Sequence, residues 1–63
     1  MKTPILAFDI KTNKFIKEFN RVIDILKFIG KPGLKELPSN IYACCKGKFK
    51  SAHGYIWKYK KEN

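Results

Sequence analysis

Acidic residues are scarce in this chain. Five Asp and Glu stand against fourteen Lys and Arg in 63 residues, a net charge of +9. So large a surplus on so small a surface sets up a strong positive potential, which excludes cationic partners and points to a polyanion. Long apolar runs are also missing. None approaches the ~18 residues that a membrane span needs, and no membrane partner is expected. The apolar stretch near the start, Ile5-Leu6-Ala7-Phe8, ends at Asp9 and is too short for a signal peptide. These absences place the protein in a cytosol.

Cysteine and histidine are equally sparse. The two Cys are neighbours, Cys44 and Cys45, and the single His is His53. A bond between adjacent cysteines would be strained and easily reduced. Two Cys and one His do not make the usual zinc spacing. No metal and no cofactor are expected, and the thiols read as small hydrophobes on a helix.

Apolar material, by contrast, is plentiful. Five Phe, three Tyr and one Trp accompany many Ile and Leu, too many for a disordered basic tail. The chain reads as one domain over 1–63, with a core from about residue 4 to 59 and a tail, 60–63, expected to fray. A domain this small buries only ~60% of the surface its unfolded chain exposes.

Periodicity supplies the elements. Leu6, Phe8 and Ile10 alternate, as a half-buried strand requires, and Phe15-Ile16-Lys17-Glu18-Phe19 is a second β-type run. Lys11-Thr12-Asn13-Lys14 lies between them, and Asn13 best tolerates a left-handed backbone. A β-hairpin follows. Asn20 then offers an N-cap. Val22, Ile25, Leu26 and Ile29 repeat at helical spacing, with Ile23 and Phe28 widening the stripe. A helix so apolar should be sandwiched in the core. Gly30 fits its C-terminal stop and Pro32 forbids continuation. Leu34 and Leu37 of the connector should fold back onto the core. Ser39 is a second candidate N-cap, and residues 40–46 fit a short helix ending at Gly47. Tyr55-Ile56-Trp57-Lys58-Tyr59 alternates again, as a strand would. The fold class is therefore α+β, in the order ββααβ.

The chemistry concentrates on the second helix and the loop after it. Ile41, Cys44 and Cys45 share one face, leaving Ser39, Asn40, Tyr42, Ala43 and Lys46 to point elsewhere. Lys46, Lys48 and Lys50 are spaced two apart around Gly47, with Ser51 and His53 close by. Lysines suit phosphates, because an ammonium on a flexible stem supplies charge without strict geometry. Asn40 can offer the paired donor and acceptor that adenine presents in the major groove. Tyr55, Trp57 and Tyr59 would form a stacking platform for single strands if exposed. Core burial is favoured, since so short a chain needs its largest side chains inside. The five acids are scattered, and nothing in sequence orients His53 toward a cysteine, so no catalytic set is expected. Gly54-Tyr55-Ile56 suggests the GIY-YIG nuclease signature, but the second half of that signature, its other catalytic residues and the needed length are missing, which rejects it.

These residues carry a resemblance. Asp9 to Asn13 matches a turn, and Phe15 to Phe19 an extended segment. Ser39-Asn40-Ile41-Tyr42-Ala43-Cys44-Cys45-Lys46-Gly47-Lys48 matches a helix motif, and Ser51 to Tyr59 a closing strand with Gly-Tyr-x-Trp. Over about residues 4 to 59 the chain resembles the intron-encoded nuclease repeat motif, a modular DNA-binding domain of homing endonucleases. The resemblance implies a helix-turn-helix fold on duplex DNA, free-standing here and encoded by a phage or other mobile element. It carries DNA contacts onto Ser39, Asn40, Tyr42, Lys46, Lys48, Lys50 and Ser51. The expected partner is double-stranded DNA, with no small-molecule substrate. The alternative is a basic inhibitor that binds an acidic surface, or a nucleic-acid channel, of a host protein.

Overall fold

The computed structural model describes residues 3–60. Strand β1 (Ile5–Asp9) and strand β2 (Phe15–Phe19) precede helix α1 (Val22–Phe28), helix α2 (Ser39–Cys45) and strand β3 (Tyr55–Tyr59). This is the ββααβ order, and the strands form one antiparallel sheet in the order β2-β1-β3. The last strand thus lies beside the first, with α2 packed against β3 and α1 against β2.

The hairpin between β1 and β2 is built by its turn. The Asp9 carboxylate accepts from the backbone N–H groups of Lys11 at 2.7 Å and Thr12 at 2.9 Å. Asn13 takes the left-handed backbone, φ 61°. These hydrogen bonds hold the Asp9 carboxyl below the ordinary carboxylate range, the Thr12 amide contributing most and the Lys11 amide next. A folded-state pKa below the unfolded one stabilises the fold above the unfolded value, and this is lost as pH falls through the folded value. Urea midpoints measured between about pH 6 and pH 2 should therefore fall more steeply for the wild type than for Asp9→Asn.

The strand parity differs from the sequence expectation. Ile5 and Ala7 face the core; Leu6 and Phe8 are half-buried on the opposite side, and Ile10 is exposed beyond the strand. Both sets are apolar, so alternation alone does not select between them. The cross-strand pairs do. Trp57 stands opposite Ala7, and Phe19 and Tyr59 stand opposite Ile5. A small side chain at position 7 leaves room on that face for the indole.

Trp57 is fully buried and anchors the core. Its indole N–H donates to the Ala52 carbonyl at 2.8 Å. Phe19 lies 5.9 Å from it, centroid to centroid, and Phe28 of α1 lies 5.1 Å from Phe19 and 4.8 Å from Tyr55. The aromatic contacts thus bind α1 to both outer strands. Ile25 of α1 and Ile41 and Cys44 of α2 complete the core on the same side of the sheet. Helix α1 is covered on one side only: Ile23 stays exposed, contrary to the expectation of a sandwiched helix.

The helix starts also differ. Arg21, not Asn20, holds the cap position of α1, and Pro38, not Ser39, that of α2; neither helix has a side-chain cap. Arg21 Nε instead pairs with Asp24 at 3.3 Å. Pro38, at φ −55° and ψ 139°, already has the fixed φ that the cap geometry needs, so Ser39 becomes the first helical residue. The helix stops follow the glycines. Gly30 (φ 78°) and Gly47 (φ 85°) take left-handed backbones. Lys31 donates back to Leu26, and Lys48 to Ala43, in a six-to-one pattern. In the connector Leu37 is buried, whereas Leu34 is 46% exposed and does not reach the core.

His53 (φ 51°) and Gly54 (φ 84°) form a two-residue type I′ turn. It is closed by reciprocal Ala52–Tyr55 backbone bonds of 2.8 and 3.0 Å. A Cβ at Gly54 would meet no neighbour, so the cost of Gly54→Ala is backbone strain alone. We expect about 1–2 kcal/mol, read as a Tm lowered by ~4–8 °C per kcal/mol. Lys60 is not frayed: its N–H donates to the Pro4 carbonyl at 2.9 Å and its ammonium pairs with Glu18 at 3.1 Å. Residues 61–63 of the expected tail lie outside the described residues.

Candidate nucleic-acid interface

Helix α2 presents two sides of different chemistry. Ile41 and Cys44 lock its inner side to β3. The Cys44 sulfur accepts the Trp57 backbone N–H at 3.3 Å, which holds the helix over the outer edge of that strand. At 100° per residue, Ser39, Tyr42 and Lys46 then fall on one outward stripe. All three are exposed, Tyr42 at 39%. Asn40 is exposed too, but on the flank toward the connector. There it joins Ser39, Lys31, Leu34 and His53 around an open cleft of about 620 Å³. The α2 residues singled out from sequence therefore divide into a stripe and a cleft rim.

The loop after α2 continues the exposed basic surface. Lys48 and Lys50 are exposed, and Ser51 is half-buried. Lys50 faces a second cleft rather than the α2 stripe, together with Asn13, Phe49 and Lys58. From Leu37 to Lys60 the chain carries five lysines and no Asp or Glu. Among the described residues the salt bridges are Arg21–Asp24 and Lys60–Glu18, so Lys46, Lys48 and Lys50 enter neither. Their ammonium groups are open to an external anion.

The cysteines are free thiols, Cys44 buried and Cys45 half-buried. Burial first, then the neighbouring Cys44, pushes the Cys45 thiol up to about 11, so at neutral pH it stays protonated and a poor nucleophile. Among the described residues no group of three His, Cys, Asp or Glu could hold a metal ion. No helix among them is long and apolar enough to cross a membrane. Of the aromatics considered for stacking, Trp57 is buried and Tyr55 and Tyr59 are half-buried against the core. Sequence reading missed Lys31, which joins Ser39 and Asn40 only through the path of the connector. It also missed Phe49, an isolated Phe between lysines that carries no periodic signal.

No protein-family model, curated protein or solved structure matches this chain.

Proposed function

We propose that this chain is a non-catalytic module that binds double-stranded DNA through α2 and the loop that follows it, as a small regulator acting in a cytosol. The observation that carries the reading is the outward basic surface of Lys46, Lys48 and Lys50, in a stretch without carboxylates. A seven-residue helix is about 10 Å long, short enough to enter a major groove about 12 Å wide. Lys46 and Lys48 contact phosphates. Ser39, Asn40 and Tyr42 meet the groove, with Asn40 supplying paired hydrogen bonds to a base edge. Lys50 and Ser51 extend the backbone contacts. The resemblance of residues 39–59 to the intron-encoded nuclease repeat supports the same assignment.

About four to six phosphate contacts correspond to a log–log salt slope near −4 to −5. A mobility-shift titration against random-sequence duplex measures this directly. Absence of a shift at low salt rejects the reading. Asn40→Ala tests the base contact. It should lower the ratio of specific to non-specific affinity by about fivefold or more, while leaving non-specific binding nearly unchanged. A selected duplex library supplies the specific site for that comparison.

A further inference from the structure

The sheet has a second face that the helices leave open. Both helices pack on the side that holds Ile5, Ala7, Phe19 and Trp57. Across the opposite side run Ile56, Phe8 and Phe15, cross-strand partners in one row. Adjacent strands are ~4.8 Å apart, so the row is about 10 Å wide. Phe8 and Phe15 meet edge to face at 5.9 Å, and the Lys58 ammonium stands 5.5 Å from the Phe8 centroid. At the β3 margin the row opens into a cleft of about 510 Å³, whose walls include Ile10, Asn13, Phe49, Lys50, Ile56 and Lys58.

This surface combines exposed rings with uncompensated charge. Phe15 at 56% and Phe49 at 51% are the most exposed large apolar side chains among the described residues. Both rings stand in water although so short a chain needs its largest side chains inside. Lys50 and Lys58 line the cleft and no carboxylate does. Glu18, opposite Leu6 and so on this face, is already matched by Lys60 at 3.1 Å. Flat apolar rings beside free ammonium groups suit a polyanion that also offers flat faces. Duplex DNA keeps its base faces stacked inside, and an acidic peptide has none. A single strand presents both bases and phosphates.

We propose that this open face and its cleft bind single-stranded nucleic acid. Bases stack on Phe49 and Phe15, and Lys50 and Lys58 hold the flanking phosphates. The cleft is large enough to enclose a nucleobase. Lys50 belongs to both this surface and the proposed duplex interface, but Phe15, Phe49 and Lys58 belong to this one alone, so removing a ring tests the proposal separately from duplex binding.

The test is fluorescence anisotropy of a labelled oligothymidylate of about twelve nucleotides, in roughly 50 mM salt. The wild type should bind it saturably. Phe49→Leu and Phe15→Leu keep the apolar bulk but remove the ring, and each should weaken binding about tenfold. Phe49→Trp should retain or tighten it. An abasic strand with the same number of phosphates should bind at least about tenfold less tightly. Circular dichroism verifies that the exposed-site variants fold, and duplex binding by Phe49→Leu should match the wild type. Three results would overturn the proposal: no binding of the oligothymidylate, equal binding of the abasic strand, or wild-type affinity in both leucine variants. Competition by polyglutamate as effective, charge for charge, as the oligothymidylate would reassign the surface to an acidic protein.

Discussion

Trp57→Ala should leave the chain largely unfolded at room temperature. The side chain is fully buried, and a large-to-small change of this kind costs about 3–5 kcal/mol. The Ala52 carbonyl would also lose the indole donor that now sits 2.8 Å away, a further cost of about 1–3 kcal/mol if it stays buried and unpaired. A chain of 63 residues has in total roughly 3–9 kcal/mol of stability, at ~0.05–0.15 kcal/mol per residue. The loss is thus comparable with the whole. Trp57→Phe separates the two contributions: it keeps a ring against Phe19 and Phe28 and removes the donor. That variant should fold, with a lowered urea midpoint. Far-UV circular dichroism is the readout, since the tryptophan signal goes with the residue. A cooperative Trp57→Ala transition at the wild-type midpoint would contradict the packing described.

Reversing two charges at the end of α2, Lys46→Glu with Lys48→Glu, should weaken duplex DNA binding on the order of 100-fold at low salt. Two phosphate contacts become repulsions, and the salt slope should flatten by about 2. Both side chains are exposed and belong to neither salt bridge among the described residues, so the fold should persist. A matched control separates placement from total charge. Lys11→Glu with Lys27→Glu makes the same change, from +9 to +5 (four units), on a turn and on α1. If that control weakens binding as much, the effect is one of net charge and the α2 interface is wrong.

The parts legible in sequence are those that local chemistry decides. Asn13 marked the hairpin turn because few other residues tolerate φ 61°. Gly30 and Gly47 marked both helix stops for the same reason. The basic surface was legible because Lys46, Lys48 and Lys50 crowd into one short stretch without acids. Helix starts were less legible. Asn20 and Ser39 have good capping side chains, yet the backbone enters each helix one residue away, at Arg21 and Pro38. Proline's fixed φ competes directly with a side-chain cap at the second site. Leu34 looked like core on hydrophobicity alone, but the connector holds its side chain outward.

The amino-acid order alone determined the elements, their sequence ββααβ, and the run of lysines that follows α2, because turns, periods and charge runs act over a few neighbouring residues. Only the tertiary structure decided which parity of β1 faces inward and that β3 lies against β1. It also decided that Phe49 and Lys50 share a cleft with Ile10 and Lys58. Those outcomes depend on pairs far apart in the chain, such as Ala7 with Trp57 and Ile5 with Tyr59. Their energies exist only once the sheet has closed around the indole.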